Sequence, residues 1–403
     1  MDPAEIGFDP TRLATLDAHF ARYVDAGTLA GWQIVVARRG DIAHASVYGQ
    51  RDLEAGLPVE PDTLWRIYSM TKPITSVAAM MLFEEGRFEL TDEISRWLPE
   101  FADVRVYEKG SALRPYTVAA TEPIRVWHLL THTAGLTYGF HQTSVVDSLY
   151  RAAGFDLLPK PGQDLAAATR AWARLPLLFQ PGTAWGYGVS TDVLGRLVEV
   201  ISGQRLDEFL AERIFGPLKM TDARWWVDEA DASRLAALYT PNPETGKAVR
   251  SDFLGAGALR EPEYISGGGG LICSAADYHR FTQMLLRGGE LDGVRLLGSR
   301  TVRFMTRNHL PGGKDLGELS TGGFAETTFD GVGFGLGFAV MDNPIPSRTP
   351  TTAGSYFWGG MASTAFWVDP AEELTVSLFT QLAPSSTHPL RPQLRQLVYS
   401  ALV

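Results

Sequence analysis

Ser69-Met70-Thr71-Lys72 places a serine and a lysine three residues apart, directly before Pro73. Because proline is tolerated only in the first turn of a helix, we predict that Ser69 lies at a helix N-terminus and that the helix continues through the mostly apolar residues 74–85. Residues at i and i+3 share one face of a helix, so Ser69 Oγ and the Lys72 ammonium are predicted to be neighbours. A serine hydroxyl needs an adjacent base to become a good nucleophile, and a buried lysine can be that base. The alternative is that Ser69 only caps the helix.

Composition indicates an ordinary globular protein. The 403 residues allow two or three domains, or one large domain with insertions, and 45% are hydrophobic while 20% are charged. The net charge of −10 argues against a non-specific nucleic-acid binder, which would carry a basic face. Cys273 is the single cysteine, so neither an intrachain disulfide nor a cysteine zinc site can form.

The N-terminus carries no visible targeting signal. Met1-Asp2-Pro3-Ala4-Glu5 has neither the basic nor the apolar segment of a secretory signal. The sequence also contains no uninterrupted apolar run long enough to span a bilayer. We therefore expect a cytoplasmic protein without a membrane partner.

Strand patterns concentrate at the two ends of the chain, and helical patterns dominate its middle. The strand segments are residues 31–37, 41–48, 333–341, 363–368 and 374–380. The clearest helical segments are residues 9–25, 191–202, 206–214 and 389–402. This order predicts an α/β lobe of about residues 1–68 and 286–403, interrupted by a mainly helical lobe of about residues 69–285. A cleft between two such lobes is a preferred site for a small ligand.

Three further stretches accompany the serine and lysine, at residues 127–136 (WHLLTHTAGL), 180–188 (QPGTAWGYG) and 357–361 (FWGGM). In this order they resemble motifs of the serine β-lactamase-like superfamily, above all the class C β-lactamases and the family VIII carboxylesterases built on the same fold. The resemblance extends from about Asp9 to the C-terminus. It implies a single domain with the α/β (α+β) fold of β-lactamases and penicillin-binding proteins. Such a domain has an antiparallel sheet flanked by helices and a mostly helical lobe.

The resemblance also implies the catalytic roles. Ser69 corresponds to the acylated nucleophile, Lys72 to the group that accepts or relays its proton, and Tyr187 to the tyrosine of the Tyr-x-Asn motif. Tyrosine and lysine side chains can both act as general acids and bases. The backbone N–H groups of Ser69 and Met361 correspond to the oxyanion hole, in which one donor stabilises the transition state by about 3 kcal/mol.

Two residues depart from the β-lactamase motifs. Val189 replaces the asparagine of Tyr-x-Asn, and Trp358 replaces the lysine of the Lys-Thr-Gly element, whose place Trp358-Gly359-Gly360 takes. An amide donor and a cation for the carboxylate of a β-lactam are therefore missing, whereas an apolar wall suits a neutral ester. Gly359 and Gly360 would let a substrate approach the strand backbone closely. Tyr138 is a further candidate for the substrate pocket.

The sequence therefore predicts a serine carboxylesterase that cleaves short- to medium-chain acyl esters through an acyl-enzyme, with no metal and no cofactor. Three alternatives stay open. The same residues could transfer the acyl group to an acceptor other than water. They could also belong to a β-lactamase or D-alanyl-D-alanine peptidase with weak β-lactam turnover, or to a penicillin-recognising scaffold without activity. The oligomeric state is not predicted.

Two remaining patterns are predicted to be structural. His128 and His132 are four residues apart but lack the glutamate that follows the first histidine of a zinc peptidase helix. The glycine run at residues 267–270 lacks the lysine and hydroxyl residue of a phosphate-binding loop. Tight backbone packing near a strand is the expected role of that run.

A G-x-S-x-G nucleophile elbow is absent from the sequence, which removes the main support for an α/β-hydrolase.

Overall fold

Strands from both ends of the chain meet in one large antiparallel sheet. The computed structural model describes residues 2–156, 162–322 and 329–403. The strands in chain order are β1 (Gly31–Arg38), β2 (Asp41–Asp52), β3 (Leu57–Pro58), β4 (Leu64–Arg66), β5 (Arg105–Ser111), β6 (Arg114–Ala119), β7 (Tyr239–Pro241), β8 (Ala248–Arg250), β9 (Ile272–Ser274), β10 (Glu290–Leu291), β11 (Val294–Arg295), β12 (Val332–Phe334), β13 (Ala339–Met341), β14 (Tyr356–Gly359), β15 (Ala365–Asp369) and β16 (Leu374–Phe379). The eight strands of the large sheet follow the order β12-β13-β14-β15-β16-β1-β2-β3.

Helices cover the sheet and fill the middle of the chain. In chain order they are α1 (Pro10–Asp25), α2 (Thr71–Glu84), α3 (Val126–Leu130), α4 (Val145–Ala152), α5 (Leu165–Trp172), α6 (Ser190–Ser202), α7 (Leu206–Leu210), α8 (Gly216–Leu218), α9 (Asp252–Gly255), α10 (Ala275–Leu286), α11 (Ser299–Met305), α12 (Leu316–Leu319), α13 (Pro344–Ser347) and α14 (Leu390–Ser400). A 3₁₀ turn at Tyr68–Met70 directly precedes α2.

The two terminal helices pack together on one face of the sheet. Leu13, Leu16 and Phe20 of α1 share a hydrophobic cluster with Leu394 and Val398 of α14. The side chains of this cluster recur along α1 at the spacing that places them on one helix face. Every residue of β1 is buried, because the opposite face of the sheet is covered as well.

Helix α10 covers that opposite face. It contacts β16, β15 and β1, and behind it lie the largely buried helices α2 and α6, which contact each other. α10 thus forms a layer on the sheet. The division into two lobes, with residues 275–285 in the helical lobe, stays a prediction.

Two predicted elements are wrong in detail. Residues 333–341 form not one strand but the hairpin of β12 and β13, because the chain reverses at Gly337, whose φ is +96°. The side chain of Ser76 occupies the space that a Cβ at Gly337 would need. The helix predicted over residues 206–214 is α-helical only to Leu210 and continues as a π-helix over Ala211–Phe215. The β5–β6 hairpin also interrupts the stretch predicted to be mainly helical.

Candidate active site

Ser69 lies in the 3₁₀ turn between β4 and α2. The preceding residue, Tyr68, has a φ of +45°, a left-handed conformation that is uncommon for a residue with a side chain. Met70 is the N-cap of α2 and makes no side-chain capping bond, so Ser69 does not cap the helix. Ser69 is half-buried and lines a cavity, whereas the next three residues are buried. Strained backbone of this kind clusters at functional sites.

Lys72 Nζ makes three hydrogen bonds, all to residues that line this cavity. It lies 3.2 Å from Ser69 Oγ, 3.1 Å from Tyr138 Oη and 2.6 Å from the carbonyl oxygen of Gly268. A protonated lysine has three N–H donors, and each of them has an acceptor here. Ser69 and Lys72 are therefore neighbours, as predicted. The bonds to Tyr138 and Gly268 hold the Lys72 amine beside Ser69 Oγ.

Tyr187 lies beneath the same amine. Lys72 Nζ is 4.6 Å from the centre of the Tyr187 ring, a distance at which a cation is attracted to the aromatic face. Tyr187 is 3% exposed and its hydroxyl oxygen accepts a hydrogen bond of 3.2 Å from Trp358 Nε1. The next residue is Gly188, where a Cβ would collide with the backbone of Leu136. The sequence stretches that carry Lys72, Tyr187 and Trp358 thus converge in one place.

Tyr138 is partly buried beside Lys72. Burial raises the pKa of Tyr138 well above its usual value, and the negative charge of Asp192 raises it further. Tyr138 therefore keeps its proton at neutral pH and acts on Lys72 as a neutral hydroxyl. Tyr138 also lines the cavity, and its role in binding substrate stays a prediction. Its contact with Lys72 was not predicted.

The backbone N–H groups of Ser69 and Met361 flank the same cavity. Met361 is half-buried and lies in the turn that follows β14. Within the residues that the structure describes, neither N–H group donates a hydrogen bond. The turn is tied to the Ser69 segment, because Thr364 Oγ1 donates to the Ile67 carbonyl oxygen at 3.4 Å. Their predicted role as the oxyanion hole stays a prediction.

The cavity has a volume of about 320 Å³, which is within the range of small-ligand pockets. Its wall is mostly aromatic and aliphatic. The apolar and aromatic lining residues include Tyr138, Phe140, Tyr150, Phe155, Trp172, Val189, Trp225, Tyr264 and Met361. Val189 stands where a β-lactamase has its asparagine, so this position contributes an apolar surface.

Trp358, Gly359 and Gly360 do not line this cavity in the described part of the chain. β14 pairs with β13 only through Tyr356 and Phe357, so its last residues extend beyond that neighbour and pair with β15 alone. A Cβ at Gly359 would meet the guanidinium of Arg391, and a Cβ at Gly360 would meet the carbonyl of Ile67. Close packing of protein groups therefore explains both glycines. Their predicted contact with substrate stays a prediction.

Two residues of the site were missed in the sequence. Gly268 belongs to the glycine run predicted to be structural, yet its carbonyl oxygen binds Lys72. Asp192, in the first turn of α6, is 2% exposed and accepts hydrogen bonds from Tyr264 Oη, Ser266 Oγ and Gly268 N at 2.6, 2.7 and 3.0 Å. A buried carboxylate needs such donors. Its place directly before the apolar residues Val193 and Leu194 was the available signal.

The remaining predicted structural residues lie in the protein interior. Burial lowers the pKa of His128 to about 4, and its Nδ1 accepts a hydrogen bond of 3.0 Å from the backbone N–H of Arg125. His132 is buried against the Tyr187 ring at 5.0 Å between ring centres. In residues 2–156, 162–322 and 329–403, no three His, Cys, Asp or Glu side chains are grouped to hold a metal ion.

Comparison with known proteins places this geometry in a family. A family model described as Beta-lactamase matches residues 16–400. The chain belongs to the beta-lactamase family. Esterase EstB from Burkholderia gladioli is 34% identical over 421 residues, which cover 99% of this chain and 98% of that protein. Protein Rv1367c from Mycobacterium tuberculosis (strain ATCC 25618 / H37Rv) is 37% identical over 364 residues, 89% of this chain and 88% of that protein.

A solved structure of the same beta-lactamase fold is also similar. It is described as EstCE1, a hydrolase with promiscuous acyltransferase activity. It superposes with a TM-score of 0.80 and 28% identity over 96% of this chain and 99% of that chain. The predicted fold and the predicted relationship to family VIII carboxylesterases are confirmed. The same relatives support the predicted class of enzyme, a serine hydrolase of the carboxylesterase type.

Among the described helices, none combines the length and apolar character needed to cross a membrane.

Proposed function

We propose that this protein hydrolyses carboxylic esters through an acyl-enzyme on Ser69. The observation that carries the proposal is the contact of Lys72 Nζ with Ser69 Oγ at 3.2 Å, in a cavity that both Ser69 and Met361 line. A nucleophile within hydrogen-bond reach of its base, and that base held by further groups, is the arrangement that activates a serine.

Acylation uses these groups in sequence. Ser69 Oγ attacks the carbonyl carbon of the ester, and its proton passes to the pair formed by Lys72 and Tyr187. The carbonyl oxygen becomes an oxyanion between the N–H groups of Ser69 and Met361, each worth about 3 kcal/mol of transition-state stabilisation. The bond to the alcohol oxygen then breaks, and the same pair returns the proton to that oxygen.

Deacylation repeats the path with water. A water molecule gives a proton to the Lys72–Tyr187 pair and attacks the acyl carbon, and the second oxyanion occupies the same hole. Ser69 Oγ leaves as the pair returns the proton to it. A general base of this kind contributes roughly 10²- to 10⁴-fold to the rate.

The lining of the cavity supports neutral, apolar substrates. Val189 contributes an apolar surface where a β-lactamase offers an amide, and the side chain of Trp358 binds Tyr187 where a lysine would offer a cation. A volume of about 320 Å³ accommodates short- to medium-chain acyl groups. Hydrolysis of nitrocefin should therefore be far slower than hydrolysis of p-nitrophenyl butyrate.

Acyl transfer to an alcohol is the second candidate, because the similar structure of EstCE1 is described as a hydrolase with promiscuous acyltransferase activity. An apolar cavity favours an organic acceptor over water at the acyl-enzyme stage. Product analysis with p-nitrophenyl butyrate in the presence of added alcohols separates the two fates. Ester products in excess of free acid would favour transfer.

The proposed nucleophile is tested by substitution of Ser69. Ser69→Ala should abolish p-nitrophenol release and any acyl adduct seen by intact-protein mass spectrometry, with an unchanged circular dichroism spectrum. Ser400→Ala is the matched control, since Ser400 is an exposed serine of α14. Full activity of the Ser69 variant would refute the proposal.

We also propose a cytoplasmic location, which cell fractionation would test.

A further inference from the structure

Arg391, in the first turn of α14, reaches under the turn that carries Met361. Its guanidinium fills the space beside Gly359 that a Cβ would occupy, so a larger residue at position 359 would displace it. Arg391 Nη2 donates to the carbonyl oxygens of Gly360 and Thr364 at 2.9 and 2.8 Å. One nitrogen thus bridges the two ends of the turn.

The backbone of the turn is closed by its own hydrogen bonds as well. Gly360 N donates to the Thr364 carbonyl oxygen at 2.9 Å, and Ser363 N donates to the Gly360 carbonyl oxygen at 3.1 Å. The Gly360 carbonyl and the Met361 N–H belong to one peptide unit, which is planar and trans, so they point in opposite directions. A cation that holds the carbonyl therefore also sets the direction of the N–H group.

We propose that Arg391 is a positioning residue of the oxyanion hole, which aims and polarises the Met361 N–H by binding the carbonyl of the same peptide unit. The inference rests on the proposed function, because it assumes that Met361 N–H meets the oxyanion. Hydrogen bonds from a charged donor are about twice as strong as neutral ones, and a polarised peptide donates more strongly through its N–H. Arg391 touches neither the nucleophile nor the substrate carbonyl in this role.

The charge needed for this role is present at neutral pH. The protein environment lowers the pKa of the Arg391 guanidinium to about 9, chiefly through loss of water, so the group is protonated at pH 7. Arg395 lies one turn further along α14, and its guanidinium is 4.1 Å from the centre of the Phe357 ring. Arg395 thus packs against the Phe357 ring of β14, the strand that precedes the Met361 turn, and serves as a matched control.

The test compares Arg391→Met and Arg391→Lys with Arg395→Met, using p-nitrophenyl butyrate and a trifluoromethyl ketone that forms an oxyanion on Ser69. For Arg391→Met we expect kcat/KM to fall about 100-fold, because a Met361 N–H that points away from the oxyanion costs nearly as much as the loss of that donor. The inhibition constant of the ketone should rise by the same factor, and KM should stay within about threefold. For Arg391→Lys we expect a loss of about tenfold in both, since lysine keeps the charge but does not reproduce the position of Arg391 Nη2 between the two carbonyl oxygens.

Arg395→Met should lower the melting temperature and leave kcat/KM and ketone affinity within about twofold. If Arg391→Met does not fold, the lysine variant decides the question. Unchanged kcat/KM and ketone affinity in a folded Arg391 variant would overturn the inference while Ser69 acylation still stood. A Ser69→Ala variant with full activity would instead overturn the proposed function, so the two failures are distinguishable.

Discussion

Trp358 Nε1–H donates a hydrogen bond of 3.2 Å to the hydroxyl oxygen of Tyr187. Trp358 occupies the position at which the β-lactamase motif has lysine, and it was predicted to form an apolar wall for the substrate. The structure directs its one polar atom to the tyrosine, and its contact with substrate stays a prediction. The tryptophan thus keeps a donor beside the tyrosine oxygen while it removes a cation that an anionic substrate would need.

Trp358→Phe should lower kcat about tenfold, because a hydrogen bond to an oxygen that gains charge is worth about 1.5 kcal/mol or more. The measurement is steady-state hydrolysis of p-nitrophenyl butyrate by titrated active sites. Trp367→Phe is the control, since Trp367 is a buried tryptophan of the neighbouring strand β15. An equal loss of kcat in both variants would assign the effect to packing.

Tyr187→Phe and Tyr138→Phe should separate the two tyrosines around Lys72. Loss of a general base costs roughly 10²- to 10⁴-fold, which we expect for Tyr187→Phe. Tyr138→Phe removes one neutral hydrogen bond to Lys72 and should cost about tenfold at most. Single-turnover acylation rates would report both effects. The proposed roles would be reversed if Tyr138→Phe were the more damaging change.

Asp192→Ala should destabilise the protein by about 3 kcal/mol, because one buried and two part-buried donors lose their acceptor together. The same change frees the segment whose Gly268 carbonyl holds Lys72, so kcat should fall as well. Urea unfolding and ester hydrolysis measure the two effects. Asp207→Asn, which removes only an ion pair with the half-exposed Arg205, should cost less than about 1 kcal/mol.

Acid should destabilise the fold through His128. Its pKa is about 4 in the folded protein because burial disfavours the cation, whereas an unfolded histidine titrates near ~6.5. The unfolded state therefore binds more protons between these values, and stability falls as the pH drops from about 6.5 to about 4. At pH 4.5 this group should cost about 2–3 kcal/mol.

His128→Asn can keep an acceptor for the Arg125 N–H without a titrating ring. Unfolding of the variant by urea at pH 7 and pH 4.5 should show a smaller loss of stability than the unchanged protein. An identical pH dependence in both proteins would mean that other groups cause the acid sensitivity.

Much of the fold and part of the site followed from local sequence patterns. The helix at α1, the terminal helix α14 and most sheet strands were predicted close to their observed bounds, because their apolar residues repeat with the period of a helix or a strand. The errors fell where glycine permits a reversal, as at Gly337, and where a helix changes its winding, as after Leu210. Such changes depend on what the backbone packs against.

The proximity of Ser69 and Lys72 was determined by the sequence itself, since a spacing of three residues on one helix turn sets the distance between their side chains. Only the tertiary structure decided what surrounds them. The Gly268 carbonyl that binds Lys72 is 196 residues away along the chain, and Arg391 reaches the Met361 turn from the last helix. No local pattern encodes such contacts, because they exist only when distant segments pack into one interior.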